Sequence, residues 1–469
     1  MDGVHFEVYK SHADERTTTM GNFDFDSMLG HDIPCTCGRT HSTDVQKIYL
    51  GSDAIDVLVA TVQEMGFSHP FVVSDLNTWK AAGEAVDAAL RGAGIACAHI
   101  VLPYDEPIPD EHVIGEIFCA MPQETDLIVC AGSGTLNDTC KFISYRAKID
   151  YIVFATAPSM DGWVSIGAPL IINHMKVTID THGPLAVFSD PAVLAASPAK
   201  MINAGVGDVL GKYTALIDWR FSRIVNGEYV CDATVDNVRK ALDLVSSNAE
   251  AIASREPEAV LTVMEGLLLT GIAMAWIGNS RPASGCEHHM SHVMEMRLQI
   301  DGKKAVLHGA KVGIDLIYCL EMYRMLAEEQ IDWEAARNRP FDKEKWTEFT
   351  RRVYKIAAPE IEALEDRTDK YNIEARNARL DVLEREWPRM VQMMRDELPS
   401  PDEIRRIYRV LGAPAKPSDV DIDHELFCDS IIAGRDVRTR WTMLQLLWDL
   451  GLDEEYVRRV REMLEAETN

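Results

Sequence analysis

Hydrophobic and polar positions divide the chain into two parts of different character. Up to about residue 190, short apolar runs alternate with segments of helical periodicity. This alternation is typical of strands joined by crossover helices in a mostly parallel sheet. The runs are apolar throughout rather than alternating, as expected when both faces of the sheet are covered. Five runs predict strands, at 70–75, 96–102, 126–130, 151–155 and 185–189.

From Pro198 onward the pattern is helical almost throughout. Helices are predicted at 208–225, 235–254 and 260–276, with two or three more in the tail at 401–465. Mixed-sign charges spaced i,i+4 over 331–398 indicate solvent-facing helices.

The fold class predicted by these patterns is an α/β N-terminal domain followed by an all-α C-terminal domain. We place the α/β domain at 1–197 and the helical domain at 198–469, with a charged helical elaboration at 331–398. A cleft between two such domains is where ligands usually bind. The active site is therefore expected in the interdomain cleft.

Charge and cysteine usage exclude several classes of partner. The net charge of −27 disfavours nucleic acid and anionic membranes, because both would be repelled. No run reaches the roughly 18 apolar residues of a membrane helix. The ten cysteines are scattered and follow no apolar leader, so a reducing cytoplasmic location is expected.

A glycine-rich turn joins the third predicted strand to the next helix. Glycines there let the backbone approach a phosphate, and the helix N-terminus supplies free N–H groups and a favourable dipole. A lone GxG is more often a tight turn without a ligand, and the G-x-G-x-x-G fingerprint is missing. The candidate residues are Gly132, Ser133, Gly134, Thr135, Leu136, Asn137 and Asp138.

Two further polar clusters follow neighbouring predicted strands. Thr156, Ser159, Asp161 and Ser165 come after the fourth strand, and Asp75, Asn77 and Thr78 end the first. Carboxyl ends of adjacent parallel strands converge on one crevice, so the cluster after the fourth strand should share a wall with the glycine-rich turn. The first-strand carboxylate could accept a ribose hydroxyl or cap the following helix, and the cap is the commoner role.

The strongest local signal is a histidine-rich helix, SGCEHHMSH, in which His288 and His292 are four residues apart. His308 follows in LHGAK, and Asp208 precedes in GVGD. Two histidines and a carboxylate from three helices can bind a divalent ion with coordination positions left open for catalysis. Separately, each piece could be a solvated or core histidine pair, or a helix cap.

Taken in order, these motifs resemble the glycerol-1-phosphate dehydrogenases, in the longer bacterial, AraM-type form. This is a branch of the iron-containing alcohol dehydrogenase, glycerol dehydrogenase and dehydroquinate synthase superfamily. The resemblance runs over most of the chain and is carried by CTCGRTH, SDLNTWKAAG, GSGTLNDTCK, TAPSMDGWVS, GVGDVLGKYTALIDW, SGCEHHMSH, LHGAKVG, LPSPDEI, GAPAKP and RTRWTMLQLL.

The resemblance implies a role for each matched position. It implies Asp208, His288 and His308 as metal ligands, and Asp161, Asp208 and His292 as catalytic and substrate-binding residues. It implies a dinucleotide site formed by Asp75, Asn77, Thr78, the turn from Gly132 to Asp138, Thr156, Ser159 and Ser165.

The implied reaction is the reversible, NAD(P)H-dependent reduction of dihydroxyacetone phosphate to sn-glycerol 1-phosphate. The implied cofactors are NAD(P)(H) and one divalent metal ion, zinc or nickel. A carboxylate facing the ribose at Asp75 would favour NADH, with tolerance of NADPH. The small-molecule substrate is the expected partner, with a homo-oligomer as the expected assembly. The rival activities are dehydrogenation of an unphosphorylated polyol such as glycerol, cyclisation of a sugar phosphate as in dehydroquinate synthase, and ligand binding without catalysis.

Three questions stay open at this level. The substrate phosphate needs donors, and Arg281, His289, Lys212 and Lys311 are unranked candidates. The charged 331–398 segment is either an oligomer contact or a solvated elaboration, and the second is favoured. In PCTCGRTH a metal site would need further ligands, and none stands nearby at suitable spacing. We therefore favour a structural or incidental role for these two cysteines.

Overall fold

The structure is a computed structural model and describes residues 22–172 and 175–467. Its strands, numbered along the chain, are β1 (Ile33–Pro34), β2 (Thr40–His41), β3 (Lys47–Leu50), β4 (Pro70–Asp75), β5 (Ala98–Leu102), β6 (Leu127–Gly132), β7 (Asp150–Ala155), β8 (Gly167–Ile172), β9 (Met175–Asp180) and β10 (Ala186–Ser189).

Within the described residues, six of these strands form one parallel sheet in the order β3-β10-β7-β6-β4-β5. All five predicted strands are present, with ends shifted by one or two residues. The central strands β4 and β6 are buried along their whole length, which explains why their sequences are continuously apolar. Their carboxyl ends lie side by side and open towards the helical part of the chain.

Three parts of the β-structure were missed. The first is the hairpin of β1 and β2, whose strands are only two residues long. The edge strand β3 is only four residues long, too short for its pattern to stand out. The antiparallel hairpin of β8 and β9 pairs Gly167 with Asp180 and Ile172 with Met175. In β8 buried residues alternate with half-buried ones, so its sequence lacks the uninterrupted apolar run of the main sheet.

The helices begin between the strands and occupy the chain after β10. They are α1 (Ala54–Glu64), α2 (Leu76–Thr78), α3 (Glu84–Gly92), α4 (Glu111–Ala120), α5 (Gly134–Ala147), α6 (Pro191–Ala196), α7 (Ala199–Leu210), α8 (Lys212–Asn226), α9 (Asp232–Ser247), α10 (Ala249–Ala253), α11 (Pro257–Ile277), α12 (Cys286–Ile300), α13 (His308–Leu326), α14 (Trp333–Asn338), α15 (Lys343–Tyr354), α16 (Ala358–Thr368), α17 (Ile373–Glu397), α18 (Pro401–Leu411), α19 (His424–Ala433), α20 (Met443–Leu450) and α21 (Asp453–Ala466). A π-helical turn, Trp79–Gly83, joins α2 to α3.

The helical prediction is confirmed in type but wrong at several boundaries. The segment predicted as one helix at 208–225 is the end of α7 and all of α8, which meet at Gly211. The segment at 235–254 is α9 and α10, which meet at Asn248. The described tail holds four α-helices instead of two or three. Short helices in close succession share one periodic pattern, so their breaks are hard to predict.

Helix α11 forms the centre of the helical part. By length and composition it could cross a membrane, but 78% of its most apolar window is buried inside the fold. It packs against α6, α7 and α9. Its apolar sequence is therefore explained by burial in the core.

The charged segment forms α14 to α17, as its pattern predicted. Exposed ion pairs such as Lys343–Asp366 lie on the outside, whereas Leu380 and Leu383 of α17 are fully buried. We keep the division at 197/198 as a proposal, because the last described strand ends at Ser189 and only helices are described after it.

Candidate active site

A cleft of about 2350 Å³ lies between the carboxyl edge of the sheet and the helical part. The ends of β4, β6 and β7 form one wall, and the β8–β9 hairpin borders it. Helices α12 and α13 contribute the opposite wall with His288, His292 and His308. The sequence-predicted glycine-rich turn and histidine cluster therefore face the same space.

The glycine-rich turn leaves the N-terminus of α5 open to the cleft. Ser133 is the N-cap residue, but its side chain makes no capping hydrogen bond. A Cβ at Gly132 would lie 2.6 Å from the Leu136 side chain, so this turn cannot accommodate a larger residue without a shift. Ser133, Gly134, Thr135, Leu136 and Asp138 line the cleft. The first N–H groups of a 14-residue helix thus point to a place where an anion would be favoured.

Asp75 at the end of β4 has the capping role considered for it. Its Oδ1 accepts hydrogen bonds from the backbone N–H groups of Asn77 (2.9 Å) and Thr78 (2.8 Å), and it caps α2. Burial raises the pKa of the carboxyl against the lowering effect of these bonds. The same residue also lines the cleft, with Asn77 and Thr78. The cap is thus present, and the residue that forms it also borders the cleft.

The segment after β7 is fixed by hydrogen bonds from the glycine-rich helix. Asn137 Nδ2 donates to the Gly162 carbonyl at 3.2 Å, and the buried Lys141 Nζ donates to the carbonyls of Gly162 (2.8 Å) and Gly167 (3.1 Å). Thr156, Ser159 and Ser165 line the cleft, whereas Asn137 does not. Asn137 therefore positions the loop and does not contact the cleft itself.

The three predicted metal ligands converge. One ligand atom each of Asp208, His288 and His308 lies within 4.8 Å of the others. His288 Nε2 is 3.6 Å from Asp208 Oδ1, and the rings of His288 and His308 have centroids 5.1 Å apart. The buried Nδ1 of His308 has no hydrogen-bond partner in the structure. Two imidazoles, one of which has an unpartnered buried nitrogen, and one carboxylate fit a divalent ion bound by mixed N/O ligands.

Glycines bring the helices that carry these ligands unusually close. A Cβ on Gly309 of α13 would lie 1.9 Å from the Ala204 carbonyl oxygen of α7. A Cβ on Gly207 of α7 would lie 2.3 Å from the Gly309 carbonyl oxygen. Backbone contact between α7 and α13 therefore sets the separation of Asp208 from His308. Gly207 and Gly309 are therefore required by this helix crossing, whereas a Cβ on Gly205 would instead meet the Pro158 carbonyl oxygen.

Glu287 orients the neighbouring ligand and was missed by the sequence reasoning. Its Oε1 lies 2.7 Å from His288 Nδ1, and the carboxylate also accepts hydrogen bonds from Thr214 Oγ1 (2.6 Å), Gly285 N (2.8 Å) and Cys286 Sγ (3.8 Å). Burial acts to raise the Glu287 pKa, but these hydrogen bonds, led by His288, hold it below its usual value. The carboxylate then accepts the Nδ1–H of His288 and leaves Nε2 free for a metal.

Asp161 and Asp208 share the buried Lys212 ammonium. Lys212 Nζ lies 2.8 Å from Asp161 Oδ2 and 2.5 Å from Asp208 Oδ1, and the Asp161 N–H donates to Asp208 Oδ2 at 3.0 Å. Burial and the Asp208 charge raise the pKa of Asp161. For Asp208, Lys212 and the two histidines outweigh burial and lower the pKa. The lowered pKa favours the ionised form of Asp208, which is the form that a metal ligand needs.

His292 lies one turn of α12 beyond His288 and lines the cleft. Its ring is stacked against His308, with centroids 5.8 Å apart, and its Nδ1 is 3.8 Å from Glu295. It is therefore next to the ligand cluster without belonging to it.

The structure separates the candidate phosphate donors. Arg281 is buried and forms two hydrogen bonds with Glu228, both at 3.0 Å. His289 is buried and does not line the cleft, and Lys212 is neutralised by its two carboxylates. Lys311 lines the cleft but donates to the Val306 carbonyl at 2.7 Å. None of the four presents an uncommitted charge to the cleft in the described structure.

Two arginines missed by the sequence reasoning are better placed. Arg438 and Arg440 line the cleft and form no ion pair with a described carboxylate. Desolvation, with repulsion from Arg281 and Arg438, lowers the pKa of Arg440 to about 10. The positive charges of the two guanidinium groups repel each other, and a bound anion would offset this repulsion. Both arginines belong to the sequence motif RTRW, but nothing in the neighbouring sequence indicates that this motif lines the cleft.

Comparison with known proteins follows this geometry. Residues 49–198 match the model of the iron-containing alcohol dehydrogenases. A glycerol-1-phosphate dehydrogenase [NAD(P)+] from Halalkalibacterium halodurans is 30% identical over 417 residues, covering 88% of this chain and 95% of that protein. The chain belongs to the glycerol-1-phosphate dehydrogenase family. The Bacillus velezensis member of this family is 38% identical over 286 residues, covering 60% of this chain and 73% of that protein.

The fold agrees with that of solved structures of the wider superfamily. A probable glycerol dehydrogenase from Sinorhizobium meliloti aligns with a TM-score of 0.56 at 17% identity, covering 88% of this chain and 98% of that one. At this identity the likeness shows the fold alone. An α/β region followed by a helical region is thus the fold that this chain shares with that solved structure.

Proposed function

We propose that the protein catalyses the metal-dependent, reversible reduction of dihydroxyacetone phosphate to sn-glycerol 1-phosphate with NAD(P)H. One observation carries the proposal: the buried Asp208 converges with His288 and His308, and both histidines line the cleft that also receives the open N-terminus of α5. A dinucleotide and a metal site on facing walls are what a hydride transfer to a ketone requires. The named activity of the relatives supports the same reaction.

The metal would be held by Asp208, His288 and His308. A divalent ion bound there supplies Lewis acidity beside the ketone that is reduced. We propose zinc or nickel, since a mixed N/O ligand set suits both. Glu287 fixes the ring orientation of His288, and Lys212 offsets the charge of Asp208 before metal binds.

The dinucleotide would lie along the carboxyl edge of the sheet. The N-terminus of α5, from Ser133 to Leu136, would receive its pyrophosphate. Thr156, Ser159 and Ser165 would contact the nicotinamide half, and Asp75, with Asn77 and Thr78, the adenosine ribose. Asp138 lines the same wall, and Asn137 acts through the Gly162 carbonyl. This arrangement supports use of NAD(P), with the carboxylate of Asp75 favouring NADH.

Reduction of the ketone needs a proton as well as a hydride, and His292 is our candidate for its delivery. It lines the cleft beside His308 without belonging to the ligand cluster. Asp161 would bind substrate at the boundary with the nicotinamide, where it is held by Lys212. A His292→Ala variant should lose turnover while retaining its metal. Normal turnover in that variant would remove His292 from the relay.

Arg438 and Arg440 are our candidates for the substrate phosphate. Both guanidiniums are free of carboxylate partners in the described structure and line the cleft. Arginine is well suited to phosphate, because its planar donors bind two oxygens at once. This pair favours a phosphorylated substrate over glycerol itself.

The test is oxidation of NADH or NADPH with dihydroxyacetone phosphate, using chelator-stripped protein reloaded with zinc or nickel. The expected result is metal-dependent turnover whose product is sn-glycerol 1-phosphate and not its 3-phosphate enantiomer. Turnover with dihydroxyacetone but none with its phosphate would favour the polyol reading. Tight nucleotide binding without turnover on either ketone would favour a lyase of dehydroquinate-synthase type.

A further inference from the structure

A second cluster of metal-binding side chains lies outside the cleft. It consists of Cys35, Cys37, His41 and Cys231, whose four donor atoms all lie within 4.8 Å of one another. None of the four lines the cleft. The first three belong to the PCTCGRTH motif, and the fourth comes from the helical part about 190 residues later. The ligand that sequence spacing lacked is therefore supplied by the fold.

The separations match the edges of a tetrahedral zinc site. Cys231 Sγ lies 3.6 Å from Cys35 Sγ and 3.3 Å from His41 Nε2, and Cys37 Sγ lies 3.5 Å from the same nitrogen. Zinc binds cysteine sulfur at about 2.3 Å and histidine nitrogen at about 2.0–2.1 Å, so the edges of a tetrahedron are about 3.5–3.8 Å. Three sulfurs and one nitrogen are a common structural zinc set.

Local backbone structure presents the ligands of the motif. Strands β1 and β2 pair antiparallel around the turn that carries Cys35 and Cys37. Cys35 N donates to the Arg39 carbonyl, and Gly38 N donates to the Cys35 carbonyl, both at 3.0 Å. Gly38 has φ +85°, a left-handed conformation that favours glycine. The turn thus fixes two sulfurs on one side before any metal binds.

Neighbouring groups orient the metal-binding atoms of this cluster. His41 Nδ1 lies 3.1 Å from the Trp276 carbonyl, so Nδ1 carries the proton and Nε2 is free. Tyr229 OH donates to Cys37 Sγ at 3.1 Å, and the Arg39 guanidinium lies 3.5 Å from the Tyr229 ring centroid.

We propose that Cys35, Cys37, His41 and Cys231 bind a structural zinc ion that fastens the β1–β2 hairpin to the helical part of the fold. Four protein ligands close the coordination sphere, which is the mark of a structural rather than a catalytic site. Binding displaces the remaining thiol protons to solvent. Three thiolates and Zn²⁺ leave one net negative charge, which Arg39 offsets.

The proposed site also supports the cleft from outside. His41 stacks on Trp276, with ring centroids 5.3 Å apart and planes 14° apart. Trp276 lies in the last turn of α11, and Gly278, Asn279 and Ser280 directly after it line the cleft. Loss of the ion should therefore lower thermal stability and loosen this edge of the cleft, without removing a catalytic group.

The first test is metal content and X-ray absorption of the full-length protein prepared with zinc alone. We expect a second zinc equivalent beyond the one at the active site. In a His308→Ala variant, whose active site is impaired, the remaining zinc should show about three sulfurs at about 2.3 Å and one nitrogen at about 2.0–2.1 Å. An absorption spectrum without sulfur ligands would overturn the proposal. A disulfide between Cys35 and Cys231, detected as a protein mass 2 Da lower, would also overturn it.

A pair of variants makes the assignment specific. Cys231→Ser should lose the sulfur-bound equivalent and melt at a lower temperature, while a Cys428→Ser control, at a buried cysteine outside the cluster, keeps both metals. If both variants keep both metals, the site does not exist. Should Cys231→Ser fail to fold, the wild-type metal count and absorption spectrum decide the question alone.

Discussion

Glu287→Gln isolates the charge that supports the metal site. The two side chains have the same shape, so the amide oxygen can still accept from His288 Nδ1 and Gly285 N. The amide nitrogen would replace Oε2 next to Thr214 Oγ1, which can then donate to the Gly211 carbonyl at 3.0 Å instead. The weak acceptor that Oε2 offers to the Cys286 thiol at 3.8 Å is lost, and otherwise only the negative charge on the partner of His288 disappears.

The expected effect is weaker metal binding with an intact fold. Removing such a supporting partner typically costs about 10–100-fold in metal affinity, or about 1.4–2.8 kcal/mol. The assay is the free metal concentration that restores half of the turnover to stripped protein, since this reports the active site specifically. The melting temperature without metal should stay close to that of the wild type.

The matched control is Asp315→Asn, which changes another buried carboxylate. Asp315 lies on α13, whereas Glu287 lies on α12. Burial raises the pKa of Asp315 well above its usual value, which favours the neutral carboxyl that Asn imitates. Its half-reactivation concentration should stay within about twofold of the wild type, in keeping with an isosteric neutral change. Equal losses in both variants, or none in Glu287→Gln, would refute the role assigned to Glu287.

Three further changes have defined outcomes. Gly309→Ala should lower stability by at least about 1–3 kcal/mol through overpacking and weaken metal binding, as measured by melting and metal content, whereas Gly115→Ala, with open space around it, should not. Arg440→Ala should raise KM for dihydroxyacetone phosphate about tenfold or more, the loss of one charged hydrogen bond, with KM for NADH unchanged in steady-state kinetics. Lys141→Met should raise KM for NADH and lower Tm, because the loop carbonyls it binds lose their donor; an unchanged KM would show that the loop does not depend on it.

The sequence predicted those parts of the fold whose signals are local. The buried strands β4 and β6 are continuous apolar runs, and their carboxyl-end clusters could be identified without a structure. The pairing of His288 with His292 on one helix face is likewise a matter of spacing. Short edge strands and closely spaced helices carry no comparable signal, which is why β3 and the break at Gly211 were missed.

The remaining features depend on contacts between distant segments. Glu287 was adjacent to a candidate ligand, but only the fold shows its carboxylate on His288 Nδ1. Cys231 completes a cluster about 190 residues from its partners, and Arg440 reaches the cleft from the far end of the chain. The glycine contacts between α7 and α13 likewise cannot be predicted from spacing along the sequence, because each glycine is required by its contact with the other helix.

Turnover as a function of metal occupancy at Asp208, His288 and His308 tests the central claim most directly. Stripped protein would be titrated with zinc or nickel while dihydroxyacetone phosphate reduction and bound metal are followed together. Turnover should rise in proportion to metal occupancy of this site. The His288→Ala and His308→Ala variants should lose both turnover and the metal bound at this site. Full turnover in stripped protein, or a ligand variant that keeps its activity without its metal, would contradict the account.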